Sequence, residues 1–330
     1  MNKIQQLNVR RNQRHFNDWS NLLERSNLNK ERNLDYVCGI YEEDRLIATG
    51  AVSRNVIKCV AVCKDATGGS IISQLISHLE GIIYQSYDNV YLYTTPKSAP
   101  SFKHLGYTLL AAVENQLVFM EKAVQGLDDY LRFLKTHYQE GKSIGAIVMN
   151  ANPFTNGHLH LVEYAHTQVD HLFIFVVSED ISKVSFKDRF HLVKEGTKHL
   201  ANITVLETRS YMVSQQTFPS YFLSENAEVT SIHATLDAKL FTTAIAPILN
   251  IKYRFVGTEP HSQATNIYNQ RLKSVFGEDI ELIEIPRKEE DKLPISASRV
   301  RDLWESEDLE SIKRLVPKTT YQFIHQKIKE

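Results

Sequence analysis

The apolar positions change rhythm part-way along the chain. Early on, three runs rich in β-branched and aromatic residues, 36–41, 46–52 and 56–62, follow a polar helix candidate at 17–25, and such runs read as strands. Glu42-Glu43-Asp44 makes the turn between the first two. Gly68-Gly69 then opens an amphipathic helix with Ile71, Ile72, Leu75, Leu79 and Ile82 on its apolar side. A strand at 90–93, a short helix at 98–104 and strands at 107–113 and 116–120 complete the order βββαβαββ by about Lys122. The stripe Leu127, Leu131, Leu134, Tyr138 predicts a connecting helix, and polar residues 139–142 a break after it. From Ser143 onward strand and helix patterns alternate, with strands expected at 144–150, 172–178, 203–207, 230–234, 253–256 and 281–285. That alternation predicts a parallel sheet covered on both faces. Residues from Arg299 on read as two or three helices punctuated by Pro317. The fold class is α/β: an α+β domain at 1–126, a connector at 127–142 and a Rossmann-like parallel-sheet domain at 143–330.

Composition narrows the functional classes. A chain of 330 residues, 42% hydrophobic and 23% charged, suits two globular domains. With 38 basic and 39 acidic side chains the net charge is −1, so the broad electrostatic footprint of a nucleic-acid or membrane-surface protein is missing and any anion site must be local. Cys38, Cys59 and Cys63 are odd in number and lack a CxxC spacing, which suits reduced, core-filling thiols. Neither a secretory leader nor a bilayer-length apolar run is present in the given sequence, and the expected location is cytoplasmic. No His/Cys/Asp spacing suggests a structural metal.

Two short segments carry the chemistry. Asn152-Pro153-Phe154-Thr155-Asn156-Gly157-His158 follows an apolar run and precedes the periodic Leu159, Val162, His166, Val169, so it lies on a strand-to-helix turn, where α/β sheets bind nucleotides. Thr155 and His158, three apart, project on one side of a first helical turn, and Gly157 leaves room for a close approach. His160 is expected to face elsewhere and be solvated. In Ile295-Ser296-Ala297-Ser298-Arg299-Val300-Arg301, Ser298 is expected as the N-cap, with Arg301 where a capping box would place Glu or Gln. Two cations at a helix start oppose the macrodipole unless an anion binds there, and a triphosphate would remove the conflict. Gly257-Thr258-Glu259 ends a strand, in the position for ribose and base contacts. Arg189 is the candidate basic residue after the second strand of the parallel sheet, a role that Lys183 or Lys187 could share, and Asp237 and Lys239 are candidates to face a substrate.

These motifs resemble families. Thr155-Asn156-Gly157-His158 is similar to the (His/Thr)-x-Gly-His signature of the nucleotidyltransferase superfamily, and Ser296 to Arg301 to its Ser-x-Ser-x-x-Arg signature. In the N-terminal part the βββαβαββ order and Gly68-Gly69 resemble the GNAT acetyltransferase fold, although Asp65 stands where that pyrophosphate loop starts with Arg or Gln. A GNAT-like domain joined to such a nucleotidyltransferase-like domain, with the runs 145–155, 255–260 and 294–298, resembles the citrate lyase ligase family. The resemblance implies ATP-dependent acetylation, by acetate, of the thiol on the CoA-like prosthetic group of the citrate lyase acyl carrier subunit, through acetyl-AMP, with AMP and diphosphate released. It implies roles for His158, Thr155 and Arg301 at the phosphates, and ATP contacts from Asn150, Asn152, Pro153, Phe154, Gly157, Arg189, Gly257, Thr258, Glu259, Ile295, Ser296 and Ser298. Mg²⁺ would arrive on the nucleotide. The GNAT-like domain would bind the prosthetic arm. Nucleic acid and membrane are not expected partners. An adenylyltransferase acting on a nucleotide or phosphopantetheine, an acetate ligase acting on RNA, and a module sensing ATP or CoA without turnover remain alternatives.

Overall fold

The structure, a computed structural model, describes residues 3–31, 33–66, 69–179, 182–212, 226–258 and 263–330. The chain divides into two compact units: Met1–Asp129 with Gln215–Leu236, and Tyr130–Ser214 with Asp237–Glu330.

In the first unit β1 (Ile4–Gln6), α1 (Gln13–Arg25), β2 (Tyr36–Glu42), β3 (Arg45–Ser53), β4 (Val56–Val62), α2 (Gly69–Ile83), β5 (Asn89–Thr94), α3 (Ala99–His104), β6 (Thr108–Val113) and β7 (Leu117–Ala123) follow one another. From β2 onward this is the expected βββαβαββ order, and the sheet runs β1-β2-β3-β4-β5-β7-β6. The GNAT-like arrangement is therefore present. Neighbouring strands are antiparallel except β4 and β5, which pair in parallel only at Val56–Tyr91 and Ile57–Leu92. Beyond Ile57 the two strands splay. Leu75, Ile76, Leu79 and Ile83 of α2 pack in one core with Ile40, Ile57, Leu92 and Phe102, and Ile71 and Ile72 lie against it partly buried; the expected Ile82 is outside that core, its place taken by Ile76 and Ile83. Gly68 lies outside the described residues.

The chain enters the second unit within α4 (Leu127–Lys135) and continues with β8 (Ile144–Met149), α5 (Asn156–His166), β9 (His171–Val176), α6 (Phe186–Thr197) and β10 (Ile203–Glu207). Then come α7 (Asn226–Leu240), counted with the first unit as far as Leu236, and, in the second unit, a π-helical turn at Phe241–Ile245, α8 (Ala246–Leu249), β11 (Tyr253–Gly257), α9 (Gln263–Phe276) and β12 (Glu281–Ile285). The short pair β13 (Glu289–Glu290) and β14 (Leu293–Pro294) leads to α10 (Ala297–Glu305), α11 (Leu309–Leu315) and α12 (Lys318–Lys329). The sheet is parallel, in the order β10-β9-β8-β11-β12. It is the expected Rossmann-like sheet, and β8 and β11 flank its switch point. Strands β8 and β9 are buried almost throughout, as strands covered on both faces must be.

One expected strand is wrong: residues 230–234 belong to α7. Ile232, Ala234, Leu236, Ala238 and Leu240 are all buried, and so are His233 and Asp237 between them. A helix buried around most of its circumference loses its 3.6-residue stripe, and the surviving alternate apolar positions imitate a strand. Among the described residues no helix is long and apolar enough to cross a membrane.

Candidate active site

Strand β8 ends at Met149, and the loop to α5 turns sharply over the end of the sheet. Three anchors fix it. Phe154 is fully buried and seats so closely on α6 that a Cβ on Gly196 would stand 2.6 Å from its ring. Asn152 Oδ1 accepts from the Val184 backbone N–H at 3.1 Å. Arg189, also fully buried, donates Nη1 to the Asn150 carbonyl, Asn150 Oδ1 and the Val177 carbonyl at 2.8, 2.8 and 2.7 Å, Nε to the Val184 carbonyl at 3.1 Å and Nη2 to the Glu179 carbonyl at 2.5 Å. Its guanidinium is engaged behind the loop instead of facing the cleft, because the carbonyls bent out of the sheet there need a buried multiple donor.

The first turn of α5 is a capping box with an unusual partner. Thr155 Oγ1 accepts from the His158 backbone N–H at 3.3 Å, and the Thr155 backbone N–H donates to His158 Nδ1 at 3.1 Å. His158 thus fills the place usually taken by Glu or Gln. Because an amide donor faces Nδ1, the ring proton of the neutral form sits on Nε2. Burial, and secondarily the Arg287 charge, pull the His158 pKa down to about 4, so the ring is neutral at pH 7. Phe154 stacks on it with ring centroids 5.9 Å apart.

Helix α10 starts beside α5. Its N-cap is Ser296, whose Oγ accepts from the Arg299 backbone N–H at 3.2 Å, two residues earlier than expected. Ser298 is already helical. Its Oγ accepts from Arg301 Nη2 at 2.9 Å, while Arg301 Nη1 donates to the Asn152 carbonyl at 2.7 Å. Gly157 makes the approach possible: a Cβ there would lie 2.8 Å from the Ile295 carbonyl oxygen.

The two helix starts and the ends of β8, β11 and β12 enclose a cleft of about 600 Å³. Asn150, Thr155, Gly157, His158, Gly257, Ile295, Ser296 and Ser298 line it. Asn152, Pro153, Phe154 and Arg301 stand behind these as supports, and Arg189, Thr258, Asp237 and Lys239 are not in its wall. Glu259 lies outside the described residues. Of the basic alternatives, Lys183 is ion-paired with Glu305 at 3.3 Å. His160 lines the cleft too, contrary to the expected solvated position, since the cleft wraps around the first turn of α5. Sequence reasoning missed Arg254, Tyr268, Asn269 and Arg287, all cleft-lining. Arg287 Nε donates to the Thr258 carbonyl at 2.8 Å; a cation just past the last parallel strand was its only signal.

Donors therefore converge from two helix N-termini, a neutral imidazole, two serines and Arg287, with no acidic residue in the first turn of either helix. Such a set of donors suits a polyanion. A family model described as "Citrate lyase ligase C-terminal domain" matches residues 144–324. The chain is 39% identical over 86% of its length to the citrate pro-3S-lyase ligase of Klebsiella pneumoniae, covering 85% of that protein. It is 35% identical over 92% of its length to that of Escherichia coli strain K12, covering 88%. The chain belongs to the citrate lyase ligase family. As a citrate lyase ligase family member it is a ligase, and the segment matched by the family model takes in every residue lining the cleft. The matches to the relatives necessarily extend into the first unit as well.

Proposed function

We propose that this chain uses ATP to join acetate to the prosthetic-group thiol of the citrate lyase acyl carrier subunit. The observation that carries the reading is the convergence of the α5 and α10 N-termini on one cleft, tied by the Arg301 bridge from Ser298 to Asn152. In the first step an acetate oxygen bonds to the α-phosphorus of ATP, and the bond to the β-phosphate breaks to release diphosphate. In the second, the thiol sulfur bonds to the acetyl carbon, the carbon–oxygen bond to AMP breaks, and the thiol proton goes to solvent. Acetate is already an anion at neutral pH, so no general base is needed for the first step. The protein's contribution is positioned charge: His158 Nε2–H, the hydroxyls of Ser296 and Ser298 and the Arg287 cation act on the departing diphosphate, whose charge grows in the transition state. Mg²⁺ would come with the nucleotide, held chiefly by its phosphates. An ATP-consuming enzyme of this kind works in the cytoplasm.

For the carrier's prosthetic arm the first unit offers a groove of about 730 Å³ at the splay of β4 and β5. Its apolar floor includes Ile57, Val60, Leu92 and Phe102, and Arg25, Lys64 and Lys97 stand in its wall. Asp65, out of place in a pyrophosphate loop, is offset by Arg45, whose Nη2 lies 3.2 Å from its carboxylate. Charge reversal at Lys64 and Lys97 is expected to reduce transfer to the carrier while sparing adenylate formation.

The deciding experiment is exchange of labelled diphosphate into ATP with and without acetate. Acetate-dependent exchange supports the reading. Exchange that depends on a nucleotide or phosphopantetheine instead would replace it with the adenylyltransferase alternative.

A further inference from the structure

Arg254 lies on β11 and is only 3% exposed, yet it lines the cleft. A guanidinium cannot shed its proton in a protein, and a buried one left without acceptors is costly. Its Nε and Nη1 are buried with no hydrogen-bond partner among the described residues. The guanidinium carbon sits 4.6 Å from the centre of the Phe241 ring, an attraction that gives those donors no acceptor. The nearby acid, Asp237, is itself buried and accepts from the Tyr268 hydroxyl. Burial lowers the Arg254 pKa, and Tyr268 and Asp237 oppose the shift. Neither neighbour accepts from Nε or Nη1.

The position in the fold separates this group from the phosphate donors. Arg254 is in register with Ala146 of β8, several residues before the strand ends that carry the turn to Thr155 and His158. It packs against the π-helical turn and α9, through Phe241 and Tyr268. The N-termini of α5 and α10 supply many donors, as a triphosphate needs. Around Arg254 there is one strong cation, an aromatic ring, and the side chains of Tyr268 and Asn269 also lining the cleft. A monoanion with a short apolar tail matches that set, since Arg is the side chain whose planar fork best fits a carboxylate.

We propose that Arg254 holds the carboxylate of the acid substrate, with the acid's alkyl end against Tyr268, which also lines the cleft. The inference rests on the ligase reading above and assigns that reaction's acid its binding residue.

The test uses the full-length protein, wild type and with Arg254→Lys or Arg254→Gln, in the diphosphate exchange assay with acetate and ATP varied separately. The KM for acetate should rise about tenfold or more in Arg254→Gln and less in Arg254→Lys, which keeps the charge but loses the fork. The KM for ATP should stay within about twofold, as expected for a residue away from the phosphates. Unchanged acetate KM with exchange intact in the wild type would overturn this inference alone, and so would a rise confined to the ATP KM, which would make Arg254 a phosphate contact. A wild-type protein with no acetate-dependent exchange would defeat the parent reading and this one together. Because removing a buried Arg endangers folding, a crystal structure of the wild type grown in saturating acetate gives a second reading. A carboxylate within hydrogen-bond distance of Arg254 supports the assignment; one bound elsewhere in the cleft, or none, overturns it.

Discussion

Arg301 and Asn152 are 149 residues apart, yet Arg301 Nη1 donates to the Asn152 carbonyl at 2.7 Å. The same guanidinium reaches Ser298 Oγ through Nη2 at 2.9 Å. One side chain therefore sets the distance between the turn before α5 and the start of α10. Arg301→Lys has one nitrogen where two bonds diverge and can keep only one of them. Loss of a charge-assisted bond of this kind costs about 1.5–3 kcal/mol, so kcat/KM for ATP is expected to fall about tenfold to a hundredfold. Exchange kinetics measure this, and a thermal melt close to that of the wild type would show that the effect is local.

Gly157 gives a second handle on the same junction. Ala at a helical position normally stabilises by about 0.5–1 kcal/mol over Gly. Here the added methyl would stand 2.8 Å from the Ile295 carbonyl oxygen, a backbone atom that cannot rotate away. Overpacking of that sort costs about 1–3 kcal/mol and should outweigh the propensity gain. Gly157→Ala is expected to lower the midpoint of urea unfolding and to weaken ATP binding, as followed by calorimetry.

Arg189 should behave as a stability residue. It is fully buried and donates to at least five acceptors of the described residues around the β8–α5 turn. Arg189→Met leaves those oxygens without their donor, the buried Val184 carbonyl among them, and the expected loss is about 3 kcal/mol. Denaturant unfolding reads the loss directly. A variant that kept its stability and lost only ATP affinity would return Arg189 to the phosphates.

What could be read from the chain and what could not divide along physical lines. Thr155-Asn156-Gly157-His158 and the Ser296 to Arg301 run were legible because their members are three or five residues apart, so local helix geometry decides where they stand. The alternating β and α patterns announced the parallel sheet for the same local reason. Arg254, Tyr268 and Arg287 were not legible: each comes from a different element, and only tertiary folding brings them to one cleft. Arg189 was legible as a cation near the site, but its sequence position carries no information about which way the guanidinium turns or how deeply it is buried. Ser296 and Ser298 are both good caps by composition, and the choice between them depends on where the Ile295 carbonyl meets α5.

His158 ties acid sensitivity to the site. Its folded-state pKa is held down to about 4, chiefly by burial, against about 6.5 in an unfolded chain. Between those values the unfolded state binds the extra proton, so stability rises with pH through that window and is fully present above about 6.5. On acidification the contribution begins to fall near pH 6.5 and is gone by about pH 4, a change on the order of 3 kcal/mol at most. In His158→Gln this part of the slope should vanish while the Gln side chain can still accept from the Thr155 backbone N–H, as in an ordinary capping box. His78 and His171 are also pulled down by burial and would keep their own slopes in both proteins, so the quantity to measure is the difference between wild type and variant. Urea unfolding at half-unit steps from pH 4 to pH 8 gives that difference. Parallel curves would show that the imidazole is not held neutral in the folded protein, and the Nε2–H donor assigned to the phosphates would lose its basis.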